Sequence, residues 1–262
     1  MRSLHTAATG MMAQELNVQV ISNNIANMRT TGYKRQRAEF QDLLYQHQRR
    51  VGTQTSDQGN ILPAGIELGS GVKTVGTPRI MSQGGLLPTE KELDVAIRGE
   101  GFFRILLPDG RTAYTRDGSF ELDAQGRLVT AQGNVVQPGL TVPLNARGIT
   151  INGQGQLSVS LPGVTAPTQI GQLDMSIFVN KAGLQAIGDN LFLETPASGV
   201  PQNGTPGTEG FGDLQQGNLE QANVEAVKEI SDLIAAQRAY EMNAKVITAS
   251  DQMLSSTSNL MR

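Results

Sequence analysis

The stretch Asn218–Met261 constrains this chain most. Every seventh residue from Leu219 is apolar: Leu219, Ala226, Leu233, Tyr240, Ile247, Leu254 and Met261. A strict seven-residue repeat sustained this long is a coiled-coil signal, because under-wound helices keep one seam facing a partner only at that period. The second seam position reads Asn223, Ile230, Gln237, Ala244, Asp251 and Ser258. That row is too polar for an isolated two-stranded zipper and suits a helix packed among several neighbours. Asn218 and Gln221 are spaced as a capping box, so the helix is expected to start there. No Gly or Pro interrupts it. About 43 residues at about 1.5 Å each make a rod of roughly 65 Å, longer than a globule of this chain would be wide. Such a helix protrudes or is covered by other chains.

A second seam lies at the other end. Leu4, Ala7, Met11, Gln14, Val18, Ile21, Ile25 and Met28 follow the same 3-4 spacing, and all but Gln14 are apolar. Ser3 is a suitable N-cap, while Gly10 costs about 1 kcal/mol relative to Ala. Isolated helices of this length are marginal in water, so the segment is expected to fray alone and to become helical once a partner covers it. The two ends carry opposite charge. Residues 1–50 hold seven basic and three acidic groups, and residues 213–262 hold four basic and seven acidic ones. That difference favours the ends lying together.

Between the seams the pattern changes. Residues 46–71 are polar and rich in Gly, Gln, Ser and Thr, which reads as a long loop or irregular ribbons. From Val72 short apolar runs alternate with turns at Pro108-Asp109-Gly110, Arg116-Asp117-Gly118, Ala124-Gln125-Gly126 and Gln132-Gly133-Asn134. Turn chemistry at this spacing implies an antiparallel meander, and further strands are expected at Gly148–Ile151, Gln156–Ser160 and Leu173–Val179. Phe102, Phe103, Phe120, Phe178 and Phe192 are the expected core of a β domain that is otherwise aliphatic, since the chain has no Trp. Glu194–Asn218 reads as a Pro/Gly-rich surface connection. The fold class is therefore mixed α and β. Terminal long helices (1–30 plus 218–262) pair as a coiled-coil-like inner domain, with a connecting irregular or β-ribbon segment (31–71) and an inserted, mainly antiparallel β domain (72–217).

Little in the chain points to chemistry. There is no Cys, which removes disulfides and thiolate catalysis. The two histidines, His5 and His47, have no second ligand at metal spacing. Glu90, Glu92 and Asp94 lack the ligand pattern of a calcium loop. Gly69, Gly71 and Gly76 are not followed by the Lys-Ser/Thr of a phosphate loop. No catalytic residue, metal or cofactor is assigned, and an enzyme is not expected. The basic cluster Arg29–Arg37 lacks the interleaved aromatics of a nucleic-acid surface, so no nucleic-acid partner is expected. No apolar run reaches the length of a membrane span, and the N-terminus lacks the apolar core of a cleaved signal peptide.

Three stretches, in order, carry a resemblance. Residues 219–254 include "AQRAYEMNAKVI", with Gln237, Arg238, Ala239 and Asn243. Residues 22–44 include Asn23, Asn24, Ala26, Asn27, Thr30, Gly32, Tyr33 and Lys34. Residues 99–120 read "GEGFFRILLPDGRTAYTRDGSF". Together they resemble the bacterial flagellar rod and hook proteins, and segment 46–71 resembles the distal-rod branch, where an extra stretch is thought to stiffen the tube. The resemblance implies a structural axial subunit that polymerises helically into the rod, encloses the export channel and transmits torque from motor to hook. It implies self-association with proximal rod proteins, the hook protein, the surrounding L/P ring proteins and the type III export apparatus as partners. It places the protein in the basal body, spanning the periplasm, exported without a cleaved signal peptide. A proximal rod or hook subunit is the alternative, and a β-domain binding module on a coiled-coil stalk a more distant one. The expected self-assembly residues are Leu4, Met11, Val18, Ile21, Ile25 and Met28 at one end, and Leu219, Ala226, Ile230, Leu233, Tyr240, Ile247 and Leu254 at the other.

Overall fold

A computed structural model describes residues 2–49, 51, 64–163 and 166–260. Segment 52–63 of the expected ribbon, and Met261 of the heptad row, lie outside the described residues. The chain divides into two compact units. One comprises Met1–Ile25, Gln36–Pro78 and Glu225–Arg262, the other Ala26–Arg35 and Arg79–Val224.

The first unit is built on two helices, α1 (Arg2–Ala26) and α2 (Ala226–Leu260). They are in contact and run antiparallel. Ser250 Oγ donates to Ser3 Oγ at 3.3 Å. The Asn243 side chain lies over Gly10, where an added Cβ would come within 2.9 Å of the amide. Asn24 Nδ2 donates to Glu229 Oε2 at 3.1 Å. From Ser3 through Gly10 to Asn24 the first helix advances one heptad and then two, while from Ser250 through Asn243 to Glu229 the second retreats by the same steps. That equality is the signature of a shared 3.5-residue period. The buried apolar residues between them are small or branched: Ala7, Ala13, Val20, Ile21 and Ala236. In the structure α1 is helical along its whole length, and its partner is the chain's own second helix.

Two ribbons complete this unit. β1 (Glu39–Asp42) pairs antiparallel with β4 (Val72–Gly76), and β2 (Tyr45–Arg49) with β3 (Ile66–Gly69). Every residue of β2 and β3 is exposed. Val72, where the β domain was expected to begin, thus belongs to a ribbon of the helical unit.

The second unit is β apart from a short 3-10 turn at Lys181–Gly183. Its first half holds β5 (Leu86–Pro88), β6 (Val95–Arg98), β7 (Phe102–Leu106), β8 (Thr112–Thr115), β9 (Phe120–Leu122), β10 (Leu128–Thr130) and β11 (Val135–Val136). Then come β12 (Gly148–Ile151), β13 (Gln156–Ser160), β14 (Thr168–Gln172), β15 (Met175–Ile177), β16 (Gln185–Gly188) and β17 (Leu191–Leu193). The last are β18 (Gln202–Gly204), β19 (Asp213–Gln216) and β20 (Asn218–Glu220). The main sheet runs β16-β17-β8-β7-β11-β10-β9, with β15 pairing both β7 and β18. A second sheet runs β12-β13-β14, and two ribbons pair β19 with β6 and β20 with β5.

This order corrects the expected meander. The turns at Asp109-Gly110, Gln125-Gly126 and Gly133-Asn134 do close hairpins, and each glycine there has the positive φ that the turn requires. Arg116-Asp117-Gly118 does not, because β8 pairs with β7 and β17 and not with β9. Gly118 is needed for close approach: a Cβ there would meet the Val95 carbonyl oxygen at 1.7 Å. The Glu194–Asn218 stretch is not merely a connection, since it contributes β18 and β19.

The five phenylalanines expected in the core are all buried. Adjacent residues of a strand point to opposite faces, so Phe103 enters the large cluster with Val95, Ile105, Phe120, Leu157 and Met175 while Phe102 joins a second one. There Phe178 stands edge-on to Phe102 and Tyr114, at 5.9 and 4.7 Å between centroids.

Residues 218–220 also correct the helix start. They form β20 beside β5, and α2 begins at Ala226. The capping-box spacing is overridden because the Asn218–Glu220 backbone is engaged in a ladder and the Glu220 side chain is drawn inward, a tertiary preference that exceeds a local cap.

Candidate assembly interface

The heptad row of the sequence forms half of the seam between α1 and α2. Ala226, Leu233 and Ile247 are half-buried there, and Tyr240 is 38% exposed. The other half is Glu229, Ala236, Asn243 and Ser250, three residues after each member of the first row rather than four. Glu229, Ala236 and Ser250 are buried and Asn243 half-buried. Most of the row read from the sequence as the second seam points away instead, although Ala244 is half-buried and Asn223 precedes the helix. Ile230 is 49% exposed, and Gln237, Asp251 and Ser258 are exposed. On α1, Ile21 and Asn24 are buried, and Leu4, Met11, Val18 and Ile25 are half-buried beside them. Met28 falls after the helix and is exposed. Leu219 is on β20, away from the helix to which it was assigned, because the helix starts later.

The inner seam is therefore half apolar and half polar, and part of the apolar surface of α2 faces outward. Val227 is 79% exposed and Ile234 45%, flanking Ile230 on consecutive turns. Further along, Met242, Val246, Met253 and Leu254 are exposed. An apolar strip such as that of Val227, Ile230 and Ile234 is what a helix that packs against further helices presents.

The motif residues divide between the units. In the helical unit Asn24 fastens the chain that follows α1. Its amide donates to Gln36 O at 2.9 Å, and its carbonyl accepts from Gln36 N at 2.9 Å. Gln237 and Arg238 are exposed, Ala239 and Asn243 half-buried, and Asn23 exposed. In the β unit Ala26 is exposed, and Asn27 accepts from Thr30 in a tight turn. Gly32, at φ 69°, lies so close to Asp117 that a Cβ would sit 2.7 Å from its nitrogen.

The β unit also holds a charged cluster that the sequence did not reveal. Glu220 is fully buried, Lys34 is 1% exposed and Arg116 4%. Lys34 Nζ reaches Glu220 Oε1 at 2.6 Å and donates to Ser82 O at 2.8 Å. Arg116 Nε reaches Glu220 Oε2 at 2.8 Å, and its Nη1 donates to the carbonyls of Gly99 and Gly101, both at 2.8 Å. Gly84 N donates to Glu220 Oε1 at 2.9 Å. Burial pushes the Glu220 carboxyl up, but the charges of Arg116 and Lys34 more than offset this and hold it below the usual carboxylate range. Burial lowers the Lys34 ammonium, only partly opposed by Glu220. Only Lys34 stood out in the sequence, as a motif residue. Arg116 was read only as part of a turn, and Glu220 carried no local signal.

Among the described residues no group of three His, Cys, Asp or Glu is placed to hold a metal, and no helix is long and apolar enough to cross a membrane.

Three family models match separate parts of the chain. "Flagella basal body rod protein" matches residues 4–34, "Flagellar hook protein FlgE/F/G D1 domain" residues 96–159, and "Flagellar basal body rod FlgEFG protein C-terminal" residues 215–260. Over 260 residues the chain is 56% identical to the flagellar basal-body rod protein FlgG of Caulobacter vibrioides, covering 99% of both chains. It is 50% identical to the FlgG of Agrobacterium fabrum and 38% identical to that of Bacillus subtilis, in each case over the full length of both.

Proposed function

The chain belongs to the family of flagellar basal-body rod proteins FlgG, and from that premise we propose how it works as a structural subunit of the rod. Copies add helically, head to tail, so that the same contact repeats and the assembly grows as an open filament. The contact is made by the helical unit. The observation that carries this is the outward apolar strip of Val227, Ile230 and Ile234, which the chain's own α1 leaves uncovered. Burying such a strip against further helices supplies the driving force for association.

In this reading the polymer is the distal rod, and torque passes along it through these repeated contacts. Its neighbours are the proximal rod proteins below, the hook protein above and the L/P ring proteins around it. The subunit travels through the type III export apparatus. The exposed β2–β3 ribbon lies in the segment that resembles the stiffening stretch of the distal-rod branch, and supports placing the chain there.

Ile230→Asp tests the contact. The substitution puts a charge into the strip that assembly would bury, while Ile230 makes no part of the inner seam. The expected result is a folded monomer by circular dichroism and no tubes by electron microscopy. Tubes formed as readily as by the unsubstituted chain would refute the contact.

A further inference from the structure

We propose that Glu220 is the closure residue of the β unit: its carboxylate, carried on the last strand, is what allows Lys34 and Arg116 to remain buried together. The three residues come from widely separated parts of the chain. Lys34 precedes every strand of the unit, Arg116 follows β8, and Glu220 ends β20. Each cation has carbonyl acceptors of its own, Ser82 O for Lys34 and Gly99 O and Gly101 O for Arg116. Carbonyls solvate a cation but do not neutralise it. Among the described residues, Glu220 contributes the one carboxylate hydrogen-bonded to either. Removing the carboxylate leaves two like charges facing one another out of water, an arrangement that buried sites do not sustain.

The surrounding backbone depends on the same residue. Gly84 N donates to the carboxylate, and Gly32 N donates to the Glu220 carbonyl at 2.8 Å. The carboxylate therefore ties together the segment that leads into the unit, the strand that leaves it and the arginine between them.

The order of these residues along the chain gives the clasp its consequence. Strands β5 to β19 all precede Glu220, and only α2 follows it. A chain delivered N-terminus first holds every strand but the last and still cannot shut around Lys34 and Arg116. The unit stays loose until β20 arrives and then closes immediately ahead of the final helix. This concerns the closure of a single chain and stands apart from the assembly reading above.

Limited trypsin digestion of full-length protein, read by mass spectrometry, tests the clasp. Arg116 is a buried cleavage site and Arg111, on an exposed turn, an internal control. In Glu220→Gln, cleavage after Arg116 is expected to rise about tenfold or more relative to Arg111, as the unit opens locally. In Lys34→Met/Glu220→Gln, where one of the two cations is gone, it is expected to fall back toward the unsubstituted rate. Lys34→Met alone keeps one cation for one carboxylate and is expected to stay protected. Three results would overturn the proposal: Glu220→Gln as protected as the parent, the double variant no better protected than the single, or Lys34→Met as open as Glu220→Gln. If Glu220→Gln does not fold, recovery of folded protein in the double variant supports the clasp, and continued failure overturns it.

Discussion

Asn24 and Glu229 stand 205 residues apart in sequence and are joined by a buried hydrogen bond of 3.1 Å between α1 and α2. A polar pair at this depth fixes which residue of one helix meets which of the other, as buried polar groups do in coiled coils. Asn24 also pairs with both backbone groups of Gln36, so one side chain sets the helix register and the path of the chain leaving α1.

Asn24→Ala is therefore expected to destabilise the helical unit by about 1–3 kcal/mol, through the loss of these bonds at a buried site. Asn24→Asp, which sets a carboxylate against that of Glu229, should cost more. Thermal unfolding followed by circular dichroism at 222 nm, the helix signal, measures both.

Gly10 meets the Asn243 amide closely enough that a side chain longer than Ala must push the helices apart. Gly10→Leu should lower stability by about 1–3 kcal/mol, the range for overpacking, and Asn243→Ala added to it should recover part of the loss. A double-mutant cycle in urea reads the coupling. A coupling of zero would mean that the two residues do not share space.

Leu233 lies half-buried in the inner seam, whereas Ile230 lies outside it. Leu233→Asp should both weaken the helix pair and block tube formation, while leaving the β unit folded. Protection of the buried Arg116 from trypsin, which reports the β unit, should be unchanged in that variant.

Lys34 gives a pH dependence of definite sign. Its ammonium is lowered in the folded state, so the unfolded chain binds more protons between the folded value and about 10.4. Stability from this group rises with pH across that window and is complete above it. Glu220 works in the opposite range. Its carboxyl is depressed on folding, so its contribution is present above about 4.3 and is lost as pH falls through the folded value. Urea titrations should show the alkaline rise in the parent chain and not in Lys34→Met.

The strongest local patterns were legible in the sequence. Of the heptad row expected to form the self-assembly seam, Ala226, Leu233, Tyr240 and Ile247 line the contact of α2 with α1, while Leu219 falls on β20 and Leu254 is exposed. The other half of that contact was missed because Glu229, Asn243 and Ser250 are polar, and their burial depends on what lies opposite: a serine, a glycine and an asparagine of α1. Hairpins at Gly110, Gly126 and Gly133 followed from turn chemistry. Gly118 has the same Asp-Gly context but serves close approach to Val95, which only the fold reveals. The clasp was hidden for a related reason. Nothing near Glu220 in sequence distinguishes it from a surface glutamate, and the flanking Asn218 and Gln221 are spaced like a helix cap although β5 takes up this backbone.

The equal heptad steps of α1 and α2 couple the lengths of two segments at opposite ends of the chain. An insertion of one residue in either helix rotates every later contact off the seam, since each residue turns the helix by about 100°. An insertion of seven in α1 keeps the facing rows but slides Ser3, Gly10 or Asn24 past its partner, unless α2 gains seven at the matching point. Changes in helix length are thus tolerated only in concert, and variation in size among related chains should accumulate in the loops and ribbons that no such pairing constrains.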